Sequence, residues 1–240
     1  MPQTKRKTAA VGLVAPAKAA KPRARNRLNR EAIVAEAVAM VSEGALEALT
    51  LRGLAERLGT SPMSLYTYFR SRDALLNALA DHVFALFEVP PSAGTWQDDV
   101  RNWLHATYNH FLQHPIAPKV IVWDGHVCPA WLKTWFPIAR LLKEQGLEGQ
   151  RLAFAMSWFT TAAMGFITSR IDSPAKHKLS MIAHIEGLDE TDERLAVELW
   201  LHFQNVDQKA ALEFGFDVLV RGLEAIIRGE SPWLPNSFIA

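Results

Sequence analysis

The sequence predicts an all-α fold, two helical units behind a basic tail, and three observations carry that prediction. Residues 51–69 set apolar side chains at helical spacing on both sides of Gly59-Thr60-Ser61-Pro62. Pro90, Pro91 and Gly94 then break the chain, and all eight tryptophans lie beyond them. Two later stretches, 150–171 and 206–228, are apolar nearly all round, which a helix tolerates only when both sides are covered.

Residues 1–30 contain nine Lys or Arg and no acidic residue, set mostly among Ala and Pro. With almost nothing large and apolar to bury, residues 1–28 read as a disordered basic arm. No apolar run follows the positive start, so the arm is not a secretory signal. The other 210 residues carry 17 basic and 25 acidic groups, so the overall charge of +1 conceals a strongly lopsided distribution. Lys21, Arg23, Arg25 and Arg27 stand immediately before the first helix, where such an arm can reach a minor groove beside a docked helix. A solubilising tail without fixed contacts is the alternative.

Residues 29–87 form the first unit. Asn29 caps a helix whose Ile33, Ala37, Met40 and Val41 make an apolar stripe that ends near Gly44. Thr50 caps the next, with Leu51, Leu54, Ala55 and Leu58 at i, i+3, i+4, i+7, and Gly59 stops it. Ser61 caps a third with Pro62 in its first turn, where a missing N–H costs nothing, and Ser71 caps a fourth running from Arg72 past Phe84. Helix, tight turn and helix make a helix-turn-helix. Leu65 and Phe69 share one face of the third helix, Met63, Ser64 and Thr67 lie opposite, and Tyr66 and Tyr68 flank them. A helix in a major groove needs this division, because its crown meets base edges while its flanks reach phosphate. Arg52, Thr60, Met63, Ser64 and Thr67 are the candidates for bases; Thr50, Ser61, Tyr66, Tyr68 and Arg72 are those for phosphate. An ordinary helical hairpin is the structural alternative.

Residues 88–240 form the second unit. Thr95 caps a long helix with Trp96, Val100, Trp103, Thr107 and Phe111 on one face, ending near His114-Pro115. Residues 116–127, broken by Pro118 and Asp124-Gly125, predict one short helix and a turn. A helix over 129–145 ends at Gly146, and Pro137 inside it is expected to kink or divide it. The two apolar helices follow, joined by a polar connection over 172–192 that includes Pro174, Lys176, His177 and Lys178, with a helical turn over 179–184. One side of each apolar helix can pack on its own core and the other on a second copy, and Gly165, Gly215 and Gly222 permit close approach.

The run Ala32–Asp81 resembles the DNA-binding domain of the TetR family of bacterial transcriptional regulators. The matching features are Glu43-Gly44, Leu49-Thr50-Leu51, Ala55 with Leu58-Gly59, Ser61-Pro62, Leu65-Tyr66 with Tyr68-Phe69, and Asp73 with Leu75-Leu76. Tyr68 and Arg72 stand where the family often has a histidine and a lysine, and both can still donate to phosphate. The resemblance implies a homodimer closed by two helices per subunit, for which Ala155, Phe159, Ala163, Phe166, Phe214, Val218 and Ile226 are the interface candidates. It also implies an effector cavity among helices carrying Trp103, Tyr108, Trp123, Trp131, Trp135 and Trp158, with His126 able to bond a polar effector. Aromatic spacing of this kind fits plain core packing equally well.

Other classes are weaker. There is no glycine-rich phosphate loop, no G-x-S-x-G, no H-E-x-x-H and no paired carboxylates on one stripe, so an enzyme is not expected. His110 and His114 lie four apart without a third ligand, so no metal site and no cofactor are expected; solvated or hydrogen-bonded histidines are. Cys128 is alone, which fits a cytoplasmic protein, and no apolar run is expected to cross a membrane. The sequence therefore reads as a TetR-like regulator, a repressor released from a two-fold symmetric operator by a small hydrophobic or aromatic effector. A DNA-binding architectural or partner-controlled protein without a ligand is the alternative. Deleting residues 1–27 should flatten the salt dependence of DNA binding, by about 0.9 in log–log slope for each phosphate the arm neutralises, measured by titration at several salt concentrations; an unchanged slope would reject the arm.

Overall fold

The computed structural model describes residues 28–44, 46–123, 126–172, 187, 189–203 and 205–230. The basic-arm residues Lys21, Arg23, Arg25 and Arg27, and most of the connection over 172–192, lie outside them.

Side-chain caps set the register of the N-terminal helices. Asn29 Oδ1 accepts from Ala32 N at 2.7 Å and opens α1 (Arg30–Glu43), which buries Ile33, Val34, Ala37 and Val41. After one 3₁₀ turn (Leu46–Ala48), Thr50 Oγ1 accepts from Gly53 N at 3.0 Å and opens α2 (Leu51–Arg57). Gly59 takes φ +63°, and Ser61 Oγ accepts from Ser64 N at 3.2 Å to open α3 (Pro62–Tyr66). Ser71 Oγ accepts from Ala74 N at 3.1 Å to open α4 (Arg72–Phe84). The third helix is thus shorter than the spacing predicts: beyond Tyr66 the chain continues as a turn, in which Tyr68 N and Phe69 N both donate to Leu65 O.

The second half begins with α5 (Trp96–Gln113), capped by Thr95. A 3₁₀ turn (Ala117–Val120) and a two-residue antiparallel hairpin, β1 (Val122–Trp123) with β2 (His126–Val127), fill the stretch expected to hold a short helix and a turn. The sulfur of Cys128 is buried and accepts from Trp131 N at 3.4 Å, opening α6 (Pro129–Glu144); burial pushes the thiol pKa up. Helix α6 runs through Pro137 undivided. Then come α7 (Gly149–Asp172), α8 (Glu190–Phe203) and α9 (Gln208–Arg228), the last capped by Asp207 and closed by Gly229 in the left-handed region. Contrary to the sequence expectation, α7 is long and apolar enough to cross a bilayer by length and composition. Here its Ala155, Phe159, Ala163 and Ile167 are fully buried in the core.

One apolar cluster runs from α1 through α4 into α5, α6, α7 and α9. Helix α4 is the shared element, packed on α1 and also on α6 and the 3₁₀ turn at 117–120. Lys119 adds a polar tie: its Nζ donates to Val41 O at 3.5 Å and Gly44 O at 3.4 Å, capping the C-terminal end of α1 from the other half of the chain. Between α5 and α9 a polar ladder pairs Gln97 with Glu224 (3.0 Å), Arg101 with Asp217 (3.1 Å) and His105 with Glu213 (3.2 Å). The partners stand one turn apart on α5 and one and then two turns apart on α9, along one face of each helix, so the ladder sets how α9 is rotated.

Helices α7 and α9 meet within the chain. A Cβ on Gly215 would stand 2.0 Å from Phe166 Cζ, and one on Gly222 would stand 2.1 Å from Trp158 Cη2, whereas Gly165 has nothing within 4 Å. Gly215→Ala should therefore lower stability by about 1–3 kcal/mol through forced displacement of the Phe166 ring. Gly165→Ala should raise it by about 1 kcal/mol, because only helix propensity changes there. Thermal melts of the two variants check this, each kcal/mol moving Tm by roughly 2–4 °C.

Candidate functional site

The outward face of α2 and α3 carries most of the residues singled out for DNA. Met63 is 73% and Tyr66 46% exposed, and the Tyr66 hydroxyl makes no hydrogen bond among the described residues. Arg52 is exposed and pairs only loosely with Glu56 at 3.4 Å, one turn on, so its guanidinium stays available to solvent. Ser61 and Ser64 share a hydroxyl–hydroxyl bond of 2.9 Å, and Thr67 Oγ1 donates to Ser64 O at 2.6 Å. Those bonds fix the rotamers of the crown while leaving acceptor lone pairs facing out. Thr50 and Ser61 serve as caps, and Thr60 is half-buried in the turn.

Two of the phosphate candidates are engaged within the chain. Tyr68 Oη donates to Leu28 O at 2.6 Å, and Arg72 donates from Nε to Leu49 O (3.0 Å) and from Nη2 to Leu46 O (3.1 Å). A hydroxyl has one proton, so Tyr68 cannot donate to phosphate while it holds Leu28. Arg72 works as a clamp on the 46–49 turn, meeting Leu49 O and adding a second donor to Leu46 O, which already accepts from Leu49 N. Arg30 reinforces the same corner, donating to Tyr68 O at 3.2 Å with its guanidinium 4.4 Å from the Phe69 ring centre. Arg57, bound to Glu36 and bidentately to Glu43 at 2.5 and 2.7 Å, fastens α2 to α1, and Glu43 is held below the usual carboxylate range by that bond. One residue escapes the sequence candidates: Arg70, exposed in the turn after Phe69, whose signal is simply a cation one residue beyond the helix-turn-helix.

The tryptophans chosen for an effector are mostly core. Trp103, Trp131 and Trp135 are 1%, 4% and 4% exposed and pack on one another, with ring centres 4.3 Å apart for Trp103–Trp135 and 5.1 Å for Trp131–Trp135. Trp103 Nε1 donates to Thr134 O at 3.0 Å. Tyr108 and Trp158 are half-buried, Trp158 seated on Gly222; Trp123 and His126 fall in the hairpin, where only the backbone is described. Two clefts border this cluster. One of about 280 Å³ is lined by Trp103, Pro137, Ile138, Arg140 and Glu144 among others. The other, about 270 Å³, lies between the end of α4 and α6, against Phe84, Phe87, Ala130, Lys133 and Thr134. So Trp103 lines a cleft, and Trp131 and Trp135 stand behind the walls.

His110 is buried and not solvated. It is 6% exposed, its Nε2 has no partner among the described residues, and its ring packs on Phe84, Phe87 and His114. Burial, and then the neighbouring His114, lower its pKa to about 4. No three of His, Cys, Asp and Glu gather at metal-binding distance among the described residues.

Four of the interface candidates are also corrected. Ala155, Phe159 and Ala163 are fully buried and Ile226 is 5% exposed, all in the protomer's own core, so they present no surface to a second copy. Phe166 is half-buried on Gly215. The outward side of the two helices is marked instead by Phe154 (37% exposed), Phe214 (72%) and Val218 (49%). Helix α8 buries none of its residues, although Leu195, Val197, Leu199, Leu201 and Phe203 are apolar.

Residues 33–79 match the family model described as bacterial regulatory proteins, tetR family. Over 201 residues the chain is 25% identical to the class D tetracycline repressor protein of Escherichia coli, covering 82% of this chain and 90% of that protein. Among solved structures it is similar to apo ActR from Streptomyces coelicolor, with TM-score 0.66 and 23% identity over 85% of this chain and 98% of that one. The complex of ActR with actinorhodin gives TM-score 0.62 and 25% identity over 83% and 97%.

The His110 site yields a pH prediction. Its folded pKa lies below the usual 6.5, so the unfolded chain takes up a proton that the native protein refuses, and stability is lost as pH falls from 6.5 towards 4. His110→Phe should flatten that stretch of the stability–pH curve by at most about 3 kcal/mol, read from denaturant midpoints at several pH values.

Proposed function

The chain belongs to the TetR family of bacterial transcriptional regulators, and on that premise we propose that it is a homodimeric repressor that leaves a two-fold symmetric operator when a small aromatic or hydrophobic effector binds its C-terminal half. The observation that carries the DNA reading is the exposed crown of α3: Met63, Ser64 and Thr67 face outward between Tyr66 and Arg52, on a helix whose other face is sealed by Leu65 and Phe69. One reading head would enter each of two successive major grooves. Met63, Ser64, Thr67, Thr60 and Arg52 take the base side, and Tyr66, with Arg70, takes phosphate. Thr50 and Ser61 contribute as caps that set the crown.

Support for a second copy comes from Phe214 and Val218, large apolar side chains left on the outside of α9. Such a patch is the ordinary mark of an interface. Support for an effector comes from the two clefts beside the aromatic cluster and from the ligand-bound state of the similar ActR. Because the α4–α6 cleft is walled by the end of α4, a ligand there has differential contact with the element that carries the reading head, which linkage requires. Cytoplasmic action without catalysis follows from the same reading.

Selection of bound duplexes from a random pool by the full-length protein tests it. A two-fold symmetric consensus is expected, and retention of DNA without any enriched sequence would sink the operator reading in favour of an architectural one. Against that consensus, Tyr66→Phe should weaken specific and random DNA alike, whereas Thr67→Ala should relax preference at one position by a factor of roughly 5–100. The reverse pattern would reverse the assigned roles.

A further inference from the structure

We propose that Tyr68 is a positioning residue for DNA binding: by holding Leu28 beside the end of α3 it aims the basic arm, residues 1–27, into an A·T-rich minor groove next to the operator half-site. This rests on the DNA-binding reading above and adds to it a second reading element and the side chain that directs it.

The ties at this corner run both ways. Tyr68 Oη donates to Leu28 O at 2.6 Å, and Arg30 Nη1 donates back to Tyr68 O at 3.2 Å with its guanidinium over the Phe69 ring. The Leu28 side chain packs partly buried on the core, and Asn29 is fixed as the cap of α1. The root of the arm is therefore held at its carbonyl, at its side chain and at the residue that follows. Tyr68 directly follows Thr67, the last crown residue, and its N donates to Leu65 O at 2.9 Å, so the ring springs from the end of α3. The arm thus starts one tyrosine side chain away from the surface that meets the bases. The bond does little to seal the core, because Tyr68 is 36% exposed whereas Leu65 and Phe69 are buried.

What the bond aims is charge. Lys21, Arg23, Arg25 and Arg27 recur at every second position, the last of them one residue from the pinned carbonyl. An extended chain turns such positions to one side. Seven residues reach at most about 25 Å, roughly twice the width of a major groove, so from the end of a docked α3 they arrive at the neighbouring minor groove. That groove is narrow and most negative over A·T runs, where arginine is drawn in, and its edges distinguish only A·T from G·C. Arg70, exposed two residues past Tyr68, adds a further cation at the root. An arm that starts from a fixed point loses less freedom on binding, so a bond that never touches DNA returns as affinity.

The full-length protein, Tyr68→Phe, the chain lacking residues 1–27 and the two changes combined are titrated on the selected consensus duplex at several salt concentrations. Tyr68→Phe is expected to weaken binding about three- to tenfold, the worth of one hydrogen bond, and to lose that effect once residues 1–27 are removed. Flanking A·T pairs are then replaced by G·C, or by inosine·C, which restores the A·T pattern in the minor groove alone. The parent protein should favour A·T and inosine·C equally over G·C, and both Tyr68→Phe and the deletion should blunt that preference. The preference is a ratio of affinities, so a reduced folded fraction does not move it. Equal loss from Tyr68→Phe in the two backgrounds would overturn the inference. So would a deletion that changes neither affinity nor flank preference, or a flank preference that Tyr68→Phe leaves intact. All three results leave the operator reading standing, whereas selection that enriches no sequence would overturn the two together.

Discussion

Burial of α4 on two sides is the constraint on which the rest of the molecule depends. Leu75, Leu76, Ala78, Leu79, Ala80, Val83 and Phe84 are all buried, some against α1 and others against α6 and the 3₁₀ turn at 117–120. A short helix with so little free surface cannot shift without disturbing one core or the other, since close-packed interiors pass displacement on instead of absorbing it. Lys119 strengthens the coupling by holding the last carbonyls of α1 from the far side of the boundary. The reading head is therefore fixed relative to the C-terminal half by α4 and by this lysine together.

Within the head, geometry is local. Helix α3 has only five residues, far below the length at which an isolated helix persists, so its shape comes from the Ser61 cap and from burial of Leu65 and Phe69. Arg30 over Phe69, Tyr68 on Leu28 and Arg72 on the 46–49 turn brace it from three directions. The exposed side is thus held rigidly by residues that never face the outside.

This division explains what the sequence can and cannot reveal. Caps and stripes are short-range, so Asn29, Thr50, Ser61, Ser71 and Thr95 announce their helices, and Gly59 announces its turn. The destinations of polar side chains are long-range. Nothing near Tyr68 in sequence says that its acceptor is forty residues away, and a guanidinium in a first turn looks alike whether it meets phosphate or carbonyl oxygen. The two apolar helices mislead for a different reason. An apolar pattern that runs all round a helix carries no phase, so choosing Ala155, Phe159, Ala163 and Ile226 as an outer face has no periodicity to guide it; the position of α5 and the α7–α9 contact decide the rotation. Helix α8 lies hidden behind a polar connection, although Asp189, which accepts from Thr191 and Asp192, is a regular cap. Tryptophan spacing is equally suited to lining a cavity and filling a core, and here it mostly fills the core.

The indole cluster has a spectroscopic consequence. Trp103, Trp131 and Trp135 sit in a chain of ring contacts at 4.3 and 5.1 Å, with Phe159 and Phe111 completing the box. At such separations the electronic transitions of neighbouring indoles couple, and excitation passes between them faster than it is emitted. Three of the eight tryptophans thus act as one chromophore, rigid enough to give a strong near-ultraviolet circular dichroism band that vanishes when side-chain packing loosens. Because Phe87 touches that cluster at its edge, the chain carries a built-in optical gauge at the junction between its two halves.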